Sequence, residues 1–329
     1  MTYKVLVADY AWPSLDVEKG VLSQVGAELI VAESGDESDL LSLASEHDVA
    51  AIMVNWKEVT PAVLAAAPNC KIVARFGVGV DNIAVAEATD RGIVVANVPD
   101  YCYEETSDHA LALIMALGRN LVPLINDTKT GNWNLHVSPR PFARLNTQTV
   151  GVVGYGRIGR ALAEKARGIG MNVIAYTPRL TAERVSDGIE ATQSLDYLLA
   201  QSDYISLHLP ANAATENLIN AAKLSLMKPS AYLINTARGA VVDEDALYEA
   251  LQNGQIAGAA LDVISTEYAR SGNKLIGLEN VWVTPHAAFY SPTAIADLSQ
   301  KTAENVAAVL RGDKPPADYV VNPAVYDTV

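Results

Sequence analysis

Gly154-Tyr155-Gly156-Arg157-Ile158-Gly159 has the spacing of a phosphate-cradling turn, and it stands between an apolar β-type run, Val150-Gly151-Val152-Val153, and a helical pattern over residues 158–167. In that setting the first glycine permits a tight turn, the second lets backbone approach a pyrophosphate, and the third lets helix pack on strand. The helix N-terminus adds free N–H groups and a positive dipole end. A dinucleotide is the ligand such a turn suits, with Arg157 placed to add a direct positive charge. About 20 residues on, an acid would bond a ribose 2′-hydroxyl and repel a 2′-phosphate. Thr177, Pro178 and Arg179 stand there instead. A guanidinium can pair with a phosphate dianion through a charged fork, so the reading favours NADP(H). The alternative is NAD(H) held by its hydroxyls, with Arg179 in solvent.

Three further groups fall at the ends of apolar runs. Asn235-Thr236-Ala237-Arg238-Gly239 closes one, Leu261-Asp262-Val263 closes another with Glu267 beyond it, and Thr284-Pro285-His286 closes a third. In an open α/β sheet ligands lie outside the carboxyl ends of the strands. Arginine, carboxylate and imidazole there suggest an anion clamp, an orienting carboxylate and a proton carrier. Singly, each also has a bland reading: Arg238 capping a turn, Glu267 solvated, His286 satisfied in a core. Cys70 and Cys102 show no Cys/His ligand spacing, so no metal site is expected.

These residues need a scaffold, and the sequence supplies one as short apolar runs alternating with helical patterns, the signature of βαβ units. Strands are predicted at residues 4–9, 28–32, 49–55, 71–76 and 93–98, with helices between them such as 38–47 and 61–67. They make one small doubly wound domain. A long apolar helix over 104–121 and a polar arm over 126–146 follow. Six more strands, at 149–155, 172–176, 204–209, 231–236, 256–263 and 281–284, make a Rossmann set. The last helical pattern, 292–311, ends at Gly312, and periodicity leaves open which domain it covers.

With 329 residues the chain is long enough for two domains at roughly 100–200 residues each. Half of it is hydrophobic and 19% charged, as in ordinary globular proteins. A net charge of −14 argues against nucleic acid or an anionic membrane as the main partner. No apolar run reaches the ~18–20 residues of a membrane span. A cytoplasmic, reduced protein is expected.

The order of motifs carries a resemblance over nearly the whole chain. Phe76-Gly77-Val78-Gly79-Val80-Asp81-Asn82-Ile83, Asn97-Val98-Pro99, the glycine turn, His208-Leu209-Pro210, Asn235-Thr236-Ala237-Arg238-Gly239, Ala260-Leu261-Asp262-Val263 and Thr284-Pro285-His286 occur in sequence. In these the chain resembles the D-isomer-specific 2-hydroxyacid dehydrogenase family, which includes D-lactate, glyoxylate/hydroxypyruvate and D-3-phosphoglycerate dehydrogenases. Pro285-His286-Ala287-Ala288-Phe289-Tyr290-Ser291 and Glu104-Glu105-Thr106 look closest to the branch of the C-terminal-binding-protein corepressors and their bacterial dehydrogenase-like relatives.

The resemblance implies an α/β fold of two doubly wound domains, a Rossmann dinucleotide-binding domain (99–292) inserted into a flavodoxin-like substrate domain (1–98 and 293–329). It implies Arg238, Glu267 and His286 as the catalytic residues, and Val78 and Gly79, with Arg238 and His286, as the substrate-binding ones. It assigns cofactor contacts to Thr106, Gly154, Tyr155, Gly156, Arg157, Ile158, Gly159, Thr177, Pro178, Arg179, His208, Leu209, Pro210, Thr215, Thr236, Ala237, Arg238, Asp262, His286 and Ala288. The implied reaction moves a hydride between NADP(H), or NAD(H), and C2 of a small 2-oxo or 2-hydroxy acid. A homodimer is implied as well. Ile264 replaces the family's usual aromatic, Tyr268 its usual proline and Thr177 its usual acid. The competing functions are a nucleotide-sensing partner protein like the corepressors, and a dehydrogenase of another small anion such as formate or phosphite.

Overall fold

The computed structural model describes residues 2–133, 142, 144–265 and 272–326, and the chain divides into two units, Met1–Cys102 with Ser291–Val329, and Tyr103–Tyr290. The changeovers thus fall at 102/103 and 290/291 rather than at 98/99 and 292/293. Residues 99–102 stay with the first unit because Asp100 is tied there, its carboxylate accepting from the Tyr319 hydroxyl at 2.8 Å and from Lys301 at 3.1 Å.

In the first unit β1 (Tyr3–Val7), β2 (Ala27–Val31), β3 (Val49–Val54), β4 (Ile72–Arg75) and β5 (Val94–Ala96) alternate with α1 (Asp16–Ser23), α2 (Glu37–Glu46), α3 (Pro61–Ala66) and α4 (Val85–Asp90). The sheet order is β2-β1-β3-β4-β5, every pair parallel. β3 reads VAAIMV and all six residues are buried, as a central strand covered on both faces must be. Leu6, Ile52 and Met53 are fully buried; burying each such side chain contributes about 1.5–3 kcal/mol.

The second unit opens with α5 (Tyr103–Gly118) and α6 (Leu121–Lys129), followed by β6 (Thr149–Val153), α7 (Arg157–Gly168), β7 (Asn172–Tyr176), β8 (Ile189–Thr192), α8 (Leu195–Gln201), β9 (Tyr204–Leu207), α9 (Ala221–Leu224), β10 (Tyr232–Asn235), α10 (Glu244–Gln252), β11 (Gly258–Leu261) and β12 (Val281–Val283). The order is β12-β11-β10-β9-β6-β7-β8, again all parallel. Alternate residues face opposite sides. Val150 and Val152 pack with Ile114 and Leu117 of α5 and Leu162 of α7, while Val153 and Leu207 pack with Leu198 of α8 and Leu247 of α10.

Two features differ from the expected elements. The sheet has seven strands, because Ile189-Glu190-Ala191-Thr192 pairs with β7 at the edge, where its exposed Glu190 breaks any apolar run. The long helix is broken: Asn120 takes φ 48°, a left-handed conformation asparagine tolerates, and α6 departs at 63°. Pro123 then sits in the first turn of α6, where a missing N–H costs nothing. The polar arm is helical to Lys129; residues 134–141 and 143 lie outside the described residues.

The final helix, α11 (Pro292–Arg311), packs on α1 and β4 of the first unit. Ser291 caps it, its hydroxyl accepting from the Ala294 N–H at 2.9 Å, and Gly312 ends it at φ 90°. Glu18 of α1 is fully buried there, accepting from the Trp12 indole N–H at 3.2 Å, and burial raises its carboxyl above the usual carboxylate range.

Candidate active site

The strand order of the second unit reverses between β6 and β9, and the ends of these strands carry the glycine turn and His208. Gly154 has φ 99°, and a Cβ on it would stand 2.3 Å from the His208 carbonyl oxygen. A Cβ on Gly159 would stand 2.0 Å from the Gly154 oxygen. Both are excluded by backbone. At Gly156, the N-cap of α7, a Cβ would meet nothing within 4 Å. The second glycine therefore faces open space at a twelve-residue helix N-terminus, with no acid in the first turn. That cradle fits a pyrophosphate.

The other expected cofactor positions distribute around it. Arg157 is exposed and Ile158 half-buried at the start of α7, and the Tyr155 ring is buried in the core, so only its backbone faces the turn. Thr177, Pro178 and Arg179 follow β7 directly. Pro178 and Arg179 are exposed, and Arg179 donates its N–H to the Thr177 hydroxyl at 3.4 Å. No acid neighbours Arg179 in an ion pair among the described residues. Leu209 and Pro210 continue from His208, and Thr215 donates its hydroxyl to the Pro210 carbonyl at 2.6 Å, which shapes this loop. Thr106 is buried in the first turn of α5. Thr236 is buried at the end of β10 with its hydroxyl oxygen unpartnered among the described residues.

Arg238 follows β10 on a loop with little freedom. Asn235 donates to its carbonyl at 2.9 Å and accepts from the Ala237 N–H at 3.0 Å, and Arg238 itself donates through Nη1 to the Ala237 carbonyl at 2.7 Å. Gly239 lies so close to the backbone of Ile264 that a Cβ would stand 2.3 Å from its carbonyl carbon. This close approach brings Arg238 beside the root of the loop that leads to Glu267. Glu267 itself lies outside the described residues.

His286 follows β12 at φ 51°, a left-handed conformation uncommon outside glycine that asparagine, aspartate and histidine adopt more often than other residues. Its N–H is donated to the Asp262 carbonyl at 2.9 Å. Asp262, 2% exposed, then accepts from the Ala287 N–H on Oδ1 and the Ala288 N–H on Oδ2, both at 2.9 Å. One buried aspartate thus holds three successive amides of the turn.

The two strand-end histidines differ in kind. His208 bonds Ser206 through Nε2 at 2.9 Å, its Nδ1 is sealed without a partner among the described residues, and burial pushes its pKa down from 6.5 to about 3. At neutral pH the ring is neutral, with no imidazolium proton to give as an acid. The unfolded chain takes up that proton first, so stability is lost as pH falls below 6.5 toward 3, by up to about 1.4 kcal/mol per pH unit. Denaturant titrations of the wild type and His208→Gln across pH 7 to about pH 5 check this. The variant's curve is expected to be flatter by one proton, and parallel curves would contradict it.

In the first unit Val78 is exposed and Gly79 half-buried on the loop after β4. Asn97 fixes this loop by donating to the Val78 carbonyl at 2.6 Å, and the Val78 and Gly79 N–H groups meet no acceptor among the described residues. Sequence reasoning passed over Arg75, which lies 7% exposed beneath Gly77 and donates to Asn55 Oδ1 at 3.2 Å. An arginine closing an otherwise aliphatic strand was the available signal. It also passed over His109, whose ring on α5 reaches Thr284. No cluster of metal-ligating side chains forms among the described residues.

Comparison with known proteins agrees with this geometry. Residues 111–288 match the family model described as D-isomer specific 2-hydroxyacid dehydrogenase, NAD binding domain. The chain is 42% identical over 257 residues to the glyoxylate reductase of Korarchaeum cryptofilum, covering 77% of each protein. Among solved structures it is similar to the D-lactate dehydrogenase of Aquifex aeolicus complexed with NAD and lactic acid, at 31% identity and TM-score 0.86 over 97% of this chain and 98% of that one. The NADPH-dependent glyoxylate/hydroxypyruvate reductase of Sinorhizobium meliloti, in complex with NADP and malonate, matches at 32% identity and TM-score 0.81 over 94% and 93%. Strand order, glycine cradle and these likenesses converge: the chain belongs to the D-isomer specific 2-hydroxyacid dehydrogenase family and is an NAD(P)-dependent enzyme of it.

Proposed function

We propose that this enzyme reduces a small 2-oxo acid to the D-2-hydroxy acid with NADPH, and runs the reverse oxidation with NADP. The observation that carries the reading is the His286 turn, held on Asp262 at the same sheet edge as the open Gly156 cradle. A bound nicotinamide supplies or accepts the hydride at C2. Arg238 grips the substrate carboxylate and polarises the keto oxygen. His286 gives the proton to the oxygen as it gains charge, and Glu267 is the partner that the family resemblance implies for it. The Tyr103–Tyr290 unit takes the dinucleotide and the other unit takes the substrate.

NADP(H) is favoured because no acid follows β7 and Arg179 is exposed with no ion pair among the described residues. A homodimer is favoured by α6, which buries none of its residues and exposes Leu121, Val122 and Ile125. The test is a panel of glyoxylate, hydroxypyruvate, pyruvate and phenylpyruvate, with formate and phosphite as controls for oxidation, assayed with both cofactors. kcat/KM is expected to be higher with NADPH, and Arg179→Ala to lower it about tenfold or more while leaving NADH turnover nearly unchanged. Equal losses with both cofactors would remove Arg179 from 2′-phosphate recognition.

A further inference from the structure

His109 has no part in the reaction described above, yet it is joined to it by hydrogen bonds. Its Nε2 lies 3.1 Å from the Thr284 hydroxyl oxygen and 3.7 Å from Asp262 Oδ1. A threonine hydroxyl has one proton, and Thr284 donates it to Asp262 Oδ1 at 2.5 Å. The Thr284 oxygen must therefore accept from His109, which fixes a proton on Nε2 whether the ring is neutral or charged. The helix does not need this ring for its own anchorage: Ala110, Ile114 and Leu117 bury α5, while the His109 side chain keeps 24% of its surface exposed.

The chain of donors ends at a turn that is costly to hold. A non-glycine residue at φ 51° is strained by about 1–3 kcal/mol, so the His286 turn rests on the Asp262 carboxylate, which accepts from both following amides. The Thr284 hydroxyl is the side-chain donor to that carboxylate, on Oδ1. We propose that His109 is a positioning residue: its Nε2–H aims the Thr284 hydroxyl at Asp262, and so fixes the turn that presents His286 for proton transfer. This rests on the reading of His286 as the proton carrier, and extends it to a helix on which no catalytic residue stands.

Steady-state kinetics of His109→Phe, His109→Gln, Thr284→Val and the His109→Phe/Thr284→Val double variant test it, with His286→Asn in the same assay and thermal midpoints as the folding control. Phenylalanine keeps the ring and removes the donor; glutamine restores an N–H near the Nε2 position. His109→Phe is expected to lower kcat by about tenfold or more, since small misplacements of a reacting group cost up to about 10²-fold. The substrate KM should stay within about threefold, because the carboxylate contacts are elsewhere. His109→Gln should recover most of kcat, and the double variant should fall no further than the worse single variant, as members of one chain do. Wild-type kcat in His109→Phe, equal losses in the phenylalanine and glutamine variants, or additive losses in the double variant would each overturn the proposal. If His286→Asn is inactive while His109→Phe is intact, only this inference falls. If His286→Asn keeps wild-type kcat, the proton-carrier reading falls and takes this one with it.

Discussion

His286→Asn is expected to lower kcat for 2-oxo acid reduction by about 10²–10⁴-fold, the usual contribution of a positioned general acid, while cofactor affinity changes little. Asparagine is the informative replacement because it tolerates the left-handed backbone of residue 286, so the turn on Asp262 survives and only the imidazole is lost. Alanine would add backbone strain to the missing proton and mix two effects. The competing donor is His208, and its chemistry disqualifies it: an imidazole pushed down to about 3 is neutral throughout the working range. Comparing His286→Asn and His208→Gln by kcat against pH separates the two. Loss of proton transfer is expected only in the first, any effect of the second falling on cofactor affinity, and an active His286→Asn enzyme would sink the proton assignment.

Arg238→Lys is expected to lower kcat/KM by about 10²–10³-fold, matching the 2–5 kcal/mol that follows removal of one partner from a hydrogen-bonded charge pair. Lysine keeps the charge but not the planar fork that can hold a carboxylate and touch the keto oxygen together. The loop cannot move to compensate. Asn235 holds it from within, and Gly239 is wedged against the Ile264 backbone. Kinetics with pyruvate, beside cofactor titration by fluorescence, measure this. A variant within about threefold of wild type would show that Arg238 does not grip the carboxylate.

Much of this site is legible in the sequence, for a physical reason. Central strands of a parallel sheet are buried on both faces, so β3 and β6 stand out as unbroken apolar runs, and the groups that follow such runs lie at the ligand edge. What escaped was whatever depends on edges or on long-range contact. β8 has one covered face and an exposed glutamate, which hides it among loop residues. The break at Asn120 is a single left-handed residue inside a continuous apolar pattern. Arg75 and His109 act on groups far away in sequence, with 175 positions between His109 and Thr284, and periodicity does not report such pairs. The −14 net charge, which argues against polyanionic partners, describes the far field only. The proposed anionic ligands would meet a helix N-terminus and arginines locally.

Isotope transfer distinguishes hydride delivery to C2 with formation of the D-isomer from any other route. Pyruvate is to be reduced with NADPH that carries deuterium at its transferable position, and the product analysed by mass spectrometry and chiral chromatography. D-lactate bearing one deuterium on C2 is expected. L-lactate, or D-lactate with only solvent hydrogen on C2, would contradict it.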